Sequence, residues 1–381
     1  MQKVYLDNAA TTAIRPEVID RMADVMRNQF GNASSTHSFG RSAKALLEQC
    51  RKNIAAHLNA EASEIVFTSG GTEADNFALR SAVRDLGVTK IITSRIEHHA
   101  VLHTAEQLQK EYNIDVEYVK LDAHGGVVLE SLEDLLKEEG KKLVSLMHIN
   151  NEVGNMLNLE QVSNLCKTYD ALMHSDTVQS IGHYKLDLKK LKVDYLAASA
   201  HKFHGPKGVG FCFVRNGSGL KPLIYGGEQE RGYRAGTESI HNIVGMSEAL
   251  DLSYKNIETE KQHIINLKQY FIATLNQKLN GIAYNGACSD LDKSTYTLVN
   301  LRLPISAEKA AMLQFQLDLK GIACSKGSAC QSGSTQQSHV LTQLLSDEEL
   351  KKPSIRFSFS KYNSKEELDY VIDTLCEFAS C

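Results

Sequence analysis

Short runs of β-branched and apolar residues alternate with helical patterns between about residues 60 and 230. This alternation predicts a mainly parallel sheet whose strands are joined by crossover helices. The predicted strands are residues 64–69, 90–95, 116–121, 143–149, 171–176, 195–199 and 208–214. Helices are predicted to begin near Thr72, Ala100, Leu132 and Leu159. Ligands of such sheets bind at the carboxyl ends of the strands, so polar residues there are the first candidates for a site.

The chain changes character after this α/β region. Residues 240–279 form an amphipathic stretch without proline, which predicts one long helix or two consecutive helices. Strand-like residues 296–303 and 354–360, with helical patterns at 307–320 and 365–379, then predict a small α+β unit. We therefore assign residues 15–255 to a large α/β domain, and residues 1–14 with 256–381 to a small α+β domain. The Ser-, Gly- and Gln-rich residues 325–338 are expected to be mobile.

Charge and apolar patterning exclude two classes of partner. The chain has 381 residues, 42 basic against 46 acidic, and no basic run that would neutralise a nucleic-acid backbone. It shows neither a signal-peptide core nor an apolar stretch long enough to span a bilayer, so we expect a cytoplasmic protein without a membrane partner. Its eight cysteines form no C-x-x-C pair, and no metal site is predicted.

Lys202 lies in a short turn, Ser199-Ala200-His201-Lys202-Phe203-His204-Gly205-Pro206-Lys207-Gly208, that follows an apolar run. Its amine becomes a nucleophile for Schiff-base formation when a neighbouring cation or burial lowers its pKa. His201 and Lys207 are the candidates for that cation. A solvated loop lysine is the alternative for this segment taken alone.

Two other predicted strand ends provide partners for a phosphorylated pyridine. After strand 64–69, Gly70-Gly71-Thr72 opens a helix, and its free N–H groups favour an anion. The alternative there is a tight turn with Thr72 as N-cap. Asp176 ends strand 171–176, where its carboxylate can pair with a protonated pyridine nitrogen, and Gln179 can reach a ring hydroxyl. The alternative for Asp176 is a helix N-cap.

Imidazole, thiol and guanidinium groups complete the candidate chemistry. His98 and His99 follow strand 90–95, where a flat ring can stack on a pyridine and relay protons; capping or solvated histidines are the alternative. Cys330 lies in a polar loop and is expected to be an exposed, movable nucleophile, the alternative being an inert surface thiol. Arg356 lies in an alternating strand and can hold a carboxylate with two parallel hydrogen bonds, unless it is simply solvated.

Together these segments resemble the cysteine desulfurases of the NifS and IscS type, a branch of the class V aminotransferase-like enzymes of pyridoxal phosphate (PLP) fold type I. The resemblance covers essentially the whole chain. It rests on residues 5–12, 69–76, 97–101, 150–154, 176–180, 199–208, 231–238, 327–330 and 355–358. Fold type I implies a large domain built on a mainly parallel sheet and a small α+β domain.

The resemblance also implies roles for individual residues. Lys202 would hold PLP covalently, Asp176 would pair with its ring nitrogen, His98 would stack on the ring and Gln179 would bond the ring hydroxyl. The phosphate would be bound by Gly71, Thr72, Ser199 and His201, with Thr237 reaching across from the second subunit of a homodimer. The substrate carboxylate would be held by Asn151 and Arg356, with Asn32 near the same pocket.

The implied reaction converts L-cysteine to L-alanine and leaves sulfur on Cys330 as a persulfide. Lys202 and His98 would carry protons. The sulfur would pass to an acceptor protein, such as an iron-sulfur scaffold or a tRNA-thiolating protein. Other readings remain open: a selenocysteine lyase or another class V enzyme, and a non-catalytic sulfur-trafficking scaffold. Cys330 argues against an ordinary aminotransferase, which needs no second nucleophile, and intact Lys202 and Asp176 argue against a scaffold.

Overall fold

The computed structural model describes residues 2–326 and 337–380. Its first elements are β1 Val4–Tyr5, α1 Pro16–Asn28, α2 Ser38–His57, β2 Ile65–Thr68, α3 Gly71–Leu86, β3 Lys90–Thr93, α4 His99–Tyr112, β4 Asp115–Tyr118, α5 Leu129–Lys137, β5 Lys142–Ser145, α6 Leu159–Thr168, β6 Leu172–Asp176, β7 Tyr195–Ser199 and β8 Gly210–Val214. The rest are α7 Ile240–Lys255, α8 Ile257–Lys278, β9 Ala283–Tyr284, β10 Leu298–Arg302, α9 Ala307–Leu319, β11 Ile322–Ala323, α10 Leu341–Leu344, α11 Asp347–Leu350, β12 Ser354–Ser358 and α12 Lys365–Ser380.

The central sheet of the described chain has seven strands in the order β2-β8-β7-β6-β5-β3-β4. Strands β7, β6, β5, β3 and β4 are parallel, which confirms the predicted mainly parallel α/β architecture. Strand β8 runs antiparallel to both β7 and β2. Only residues 200–209 connect β7 to β8. A parallel crossover needs a dozen or more residues, so this short connection reverses the chain direction.

Helices cover both faces of the sheet, which explains why its strands read as continuous apolar runs. Successive side chains of a strand point to opposite faces. On β7, Leu196 and Ala198 therefore pack in the core that contains residues of α1, α2 and α7. Tyr195 and Ala197 pack in a second core with residues of α3 and α4. The sheet is thus the middle layer of a helix–sheet–helix sandwich, and its strand ends are left for the site.

A separate core forms around the antiparallel sheet β12-β10-β9. Phe271 of α8 contacts Phe357 of β12, with ring centroids 5.3 Å apart. The N-terminal strand belongs to the same core, because Val4 of β1 pairs in parallel with Ile322 of β11. The domain boundaries at residues 14 and 255 stay a prediction.

Most predicted element starts lie within a few residues of the observed ones. The amphipathic stretch 240–279 forms two consecutive helices, α7 and α8, which meet at Asn256. Gly70, and not Thr72, is the N-cap of α3. The predicted mobility of residues 325–338 falls mostly on residues 327–336, outside the described chain. Within the described residues, no helix combines the length and apolarity that crossing a bilayer requires.

Candidate active site

A cavity of about 530 Å³ opens at the carboxyl ends of the sheet strands. The parallel strands end on one edge, so segments far apart in sequence converge there. Ten of the residues with a predicted role toward the cofactor or the substrate line this cavity: Gly71, Thr72, His98, Asn151, Asp176, Gln179, Ser199, His201, Lys202 and Arg356.

One wall of the cavity is the beginning of α3. Gly70 has φ 152° and ψ −174°, a region that essentially only glycine adopts. A Cβ on Gly71 would lie 2.5 Å from Cγ2 of Val178, so a side chain there would collide with the turn after β6. The two glycines let the chain turn sharply from β2 into a 16-residue helix whose first N–H groups lie at the cavity. A helix N-terminus of this kind favours an anionic group.

The amine of Lys202 enters the cavity from the turn after β7. Nζ donates hydrogen bonds to the carbonyl oxygens of Ala9 and Ala10, at 2.6 and 2.8 Å. The preceding His201 contacts Thr11, with Nδ1 3.2 Å from Oγ1. Burial, followed by repulsion from the Lys202 and Lys207 ammonium groups, lowers the pKa of His201 to about 4. His201 is therefore neutral at pH 7, and the prediction that it supplies a positive charge to Lys202 is wrong.

Asp176 and His98 lie beside each other on the cavity floor. Asp176 ends β6, is 6% exposed, and its Oδ1 accepts the N–H of Val178 at 2.9 Å. Burial raises its pKa, while His98 and Lys202 act in the opposite direction. Nδ1 of His98 accepts the N–H of Ala100 at 3.1 Å and so caps α4. Since burial lowers the pKa of His98, its neutral ring carries its proton on Nε2.

Arg356 approaches the cavity from β12 and is 1% exposed. Nη1 donates to the carbonyl oxygen of Asn151 at 2.7 Å, and Nη2 donates to Oδ1 of Asp7 at 2.8 Å. Nε is buried and makes no hydrogen bond to the described residues. The guanidinium thus already holds one carboxylate, that of Asp7, at the edge where the sequence predicted a substrate carboxylate.

The Gln179 amide lies on the same side as the N-terminal segment. Its Nε2 donates to the carbonyl oxygen of Ala9 at 3.0 Å, the same oxygen that receives Nζ of Lys202. Residues 9–11 therefore form another wall of the cavity, which the candidate chemistry of single residues did not indicate.

A family model for aminotransferase class V matches residues 4–371. The chain belongs to the aminotransferase class-V family. It is 39% identical over 376 residues to a protein of Dictyoglomus turgidum named cysteine desulfurase IscS, with 98% of this chain and 94% of that protein covered. The predicted resemblance to the NifS and IscS type is thereby confirmed.

Solved structures agree with this assignment to the class-V family. A NifS-like protein superposes with a TM-score of 0.90 at 36% identity, over 100% of both chains. A structure described as SspA in complex with cysteine has a TM-score of 0.82 at 30% identity, over 95% of this chain and 100% of that one.

Three residues with a role implied by the class-V resemblance are not in this cavity. Thr237 lines an adjoining cavity of about 140 Å³ that shares Ser69 and Gly208 with the main one. Asn32 is exposed and turns back on its own loop, since its Oδ1 accepts the N–H of Ser34 at 2.9 Å. Cys330 lies outside the described residues. Their predicted roles stay predictions.

Sequence reasoning missed two buried carboxyl groups of this class-V site. Asp75 lines the cavity, and one side-chain atom each of Asp75, His98 and Asp176 lie within 4.8 Å of one another. Glu97 is 1% exposed and accepts hydrogen bonds from Ser94 Oγ and the N–H of Met147. Asp75 lies four residues after Gly71 and therefore on the same face of α3. This spacing could have indicated from the sequence that Asp75 also faces the cavity.

Proposed function

We propose that this chain is a PLP-dependent cysteine desulfurase, which converts L-cysteine to L-alanine and transfers the sulfur to Cys330 as a persulfide. The observation that carries the proposal is the convergence of the Lys202 amine, the Asp176 carboxylate and the N-terminus of α3 in one cavity. The name cysteine desulfurase IscS of a relative that matches almost the whole chain supports the reaction.

The residues present fit PLP at each of its three reactive ends. An aldehyde needs an amine, and Lys202 provides one in the cavity. A pyridinium nitrogen needs a buried carboxylate, and Asp176 is buried there. A phosphate needs N–H donors and close backbone approach, which the glycine-started α3 offers. We assign the phosphate to Gly71, Thr72, Ser199 and His201, with Thr237 of a second subunit.

When bound, PLP supplies an electron sink for the pair released from Cα of cysteine. The Lys202 amine would be the base that removes the Cα proton of the substrate. His98 would stack on the ring, and its Nε2 proton would serve as an acid. Gln179 would bond the ring hydroxyl. Arg356 and Asn151 orient the substrate carboxylate, for which Asp7 would give up its place on the guanidinium; we also propose a supporting role for Asn32.

Cys330 receives the sulfur. Its thiolate forms a sulfur–sulfur bond as the carbon–sulfur bond of the substrate breaks, and the carbon takes up a proton. The net change is that L-cysteine and the Cys330 thiol give alanine and the Cys330 persulfide. We further propose a homodimer that hands this sulfur to an acceptor protein, such as an iron-sulfur scaffold. A cytoplasmic location fits the free thiols of the described chain.

The proposal is tested by supplying L-cysteine with a reductant and measuring alanine and sulfide together. The native protein is expected to produce both in equal amounts. Cys330→Ser should keep the yellow colour of the cofactor and yield almost no sulfide. Lys202→Ala should lose the colour of the covalently bound cofactor.

Cys324→Ser is the matched control. Burial raises the pKa of the Cys324 thiol to about 12, so it is protonated and a poor nucleophile at neutral pH. Its replacement should leave sulfide production unchanged. Undiminished sulfide from Cys330→Ser would overturn the persulfide step, and a retained covalent cofactor in Lys202→Ala would overturn the cofactor assignment.

A further inference from the structure

A buried polar row leads away from the cavity floor. It runs from Asp75 on α3 to His174 on β6 and on to Ser145 on β5. Asp75 is 1% exposed, and His174 and Ser145 are both fully buried. Oδ1 of Asp75 lies 3.3 Å from Nε2 of His174, and Nδ1 of His174 lies 2.8 Å from Oγ of Ser145.

Two facing atoms of this row lack a hydrogen bond to any described residue. They are Oδ1 of Asp75 and Nε2 of His174, both shielded from solvent. Buried polar atoms are nearly always paired, so this exception requires an explanation. One proton placed between the two atoms satisfies both of them. It belongs either to the imidazole, next to an ionised Asp75, or to the carboxyl group, next to a bare ring nitrogen.

The second carboxylate decides between these two arrangements. Asp75 and Asp176 have side-chain oxygens within 4.8 Å of each other, and two buried carboxylates this close do not both ionise. Asp176 holds the charge more easily, because it faces the Lys202 amine and accepts the N–H of Val178.

Every charged or titratable group that affects Asp75 opposes its ionisation. Burial, then the neighbouring carboxyl groups of Asp176 and Glu97, raise its pKa well above the usual range. Cys212 of β8 has its own pKa raised by burial and carries no charge. His98, whose side chain lies within 4.8 Å of the Asp75 carboxyl group, has its pKa lowered by burial and is neutral as well. Burial also lowers the pKa of His174 to about 3, so its ring offers no compensating positive charge.

We propose that Asp75 is a positioning residue that stays protonated at neutral pH, donates its proton to Nε2 of His174 and leaves Asp176 as the ionised member of the pair. His174 then donates from Nδ1 to Ser145. The inference rests on the proposed function, in which Asp176 pairs with the cofactor nitrogen. A negatively charged Asp75 would repel the charge on Asp176, so that Asp176 would take up a proton and lose the charge on which that pairing depends.

The same isosteric change in the two neighbouring aspartates tests this assignment. An asparagine at position 75 is neutral and still donates to His174, so Asp75→Asn should keep the cofactor absorption spectrum and should lower kcat/KM far less than Asp176→Asn does. Asp176→Asn removes a charge-assisted hydrogen bond and should change the spectrum and lower kcat/KM by about tenfold or more.

The outcomes separate this inference from the proposed function. Equal losses in Asp75→Asn and Asp176→Asn would show that Asp75 is ionised and overturn the inference while the function stands. An unchanged spectrum and rate in Asp176→Asn would show that Asp176 does not pair with the cofactor nitrogen. That result would overturn both the role proposed for Asp176 and the inference about Asp75.

The pH dependence of unfolding gives a readout that a purely structural role would not move. Native Asp75 keeps a proton that the unfolded carboxyl group loses above about pH 4. Its stabilising effect is therefore full below that pH and is lost as the pH rises. We expect the ratio of the unfolding constant of the native protein to that of Asp75→Asn to rise about tenfold per pH unit between pH 5 and 7. Both proteins are measured at the same cofactor concentration. A ratio independent of pH would overturn the inference.

Infrared spectroscopy covers the case in which Asp75→Asn does not fold. Protein labelled with ¹³C in its aspartate carboxyl groups should show the carbonyl stretch of a protonated acid at pH 7. Burial raises the pKa of Glu97 to about 8, so this group is protonated at pH 7 too, but it does not carry the aspartate label. The labelled band should persist in labelled Asp176→Asn. Its absence from the labelled native protein would overturn the inference.

Discussion

Removal of the Glu230 carboxylate should destabilise the protein by about 3–5 kcal/mol, the usual cost of leaving one member of a buried ion pair alone. Glu230 and Arg51 form a two-pronged pair, with nitrogen–oxygen distances of 2.6 and 2.9 Å, and both side chains are 2% exposed. Oε2 of Glu230, the oxygen 2.6 Å from Arg51, also accepts the N–H of Phe67 in β2. Glu230→Ala therefore leaves a guanidinium and a backbone N–H buried without this partner.

The pair also holds the segment that leads to Thr237. Glu230 and Arg231 have φ of 48° and 57°, a left-handed conformation that non-glycine residues adopt at a cost. Without the Arg51 contact this strained turn is expected to relax. Denaturant unfolding of Glu230→Ala should show the lower free energy of unfolding, and limited proteolysis should show faster cleavage near residue 230.

Lys278→Ala is the matched control. Nζ of Lys278 lies 2.7 Å from Oδ1 of Asp373, which is similar to the distances in the buried pair, but these side chains are 46% and 62% exposed. Water screens such a pair, so its loss should cost about 1 kcal/mol or less. The double variant Arg51→Met with Glu230→Leu should be more stable than Glu230→Ala, because no charge is left buried. A cost below 1 kcal/mol for Glu230→Ala would refute the reasoning.

Three further predictions concern the site and its pH range. Gly70→Ala should cost about 1–3 kcal/mol through backbone strain and weaken cofactor retention, measured by denaturant unfolding and by dialysis of the loaded protein. Arg356→Lys keeps the charge but loses the guanidinium fork, so KM for L-cysteine should rise about tenfold while the cofactor colour stays. Burial lowers the pKa of His148 to about 4 and that of His174 to about 3. The unfolded chain binds these protons first, so the stabilising contribution of the two neutral rings should be full above about pH 6.5 and be lost as the pH drops towards 4, with a smaller slope in His148→Asn.

Local sequence patterns determined the layers and the location of the site. The strand-forming runs are covalently joined to the polar turns that follow them, so placing β2, β6 and β7 also placed Gly71, Asp176 and Lys202 at one sheet edge. The direction of β8 was within reach as well, since the connection 200–209 is too short for a crossover helix. These features depend on residues that are neighbours along the chain.

Tertiary structure decided the charge states and the long-range partners. The His201 ring is neutral because it is buried. Contacts between segments that are distant in sequence create the carboxyl pair of Asp75 and Asp176 and the ion pair of Asp7 with Arg356. A residue type names a possible charge, but desolvation and neighbouring groups determine whether that charge exists. Desolvation and the contact with neighbouring groups arise only when the chain has packed, because packing excludes water and brings distant groups together.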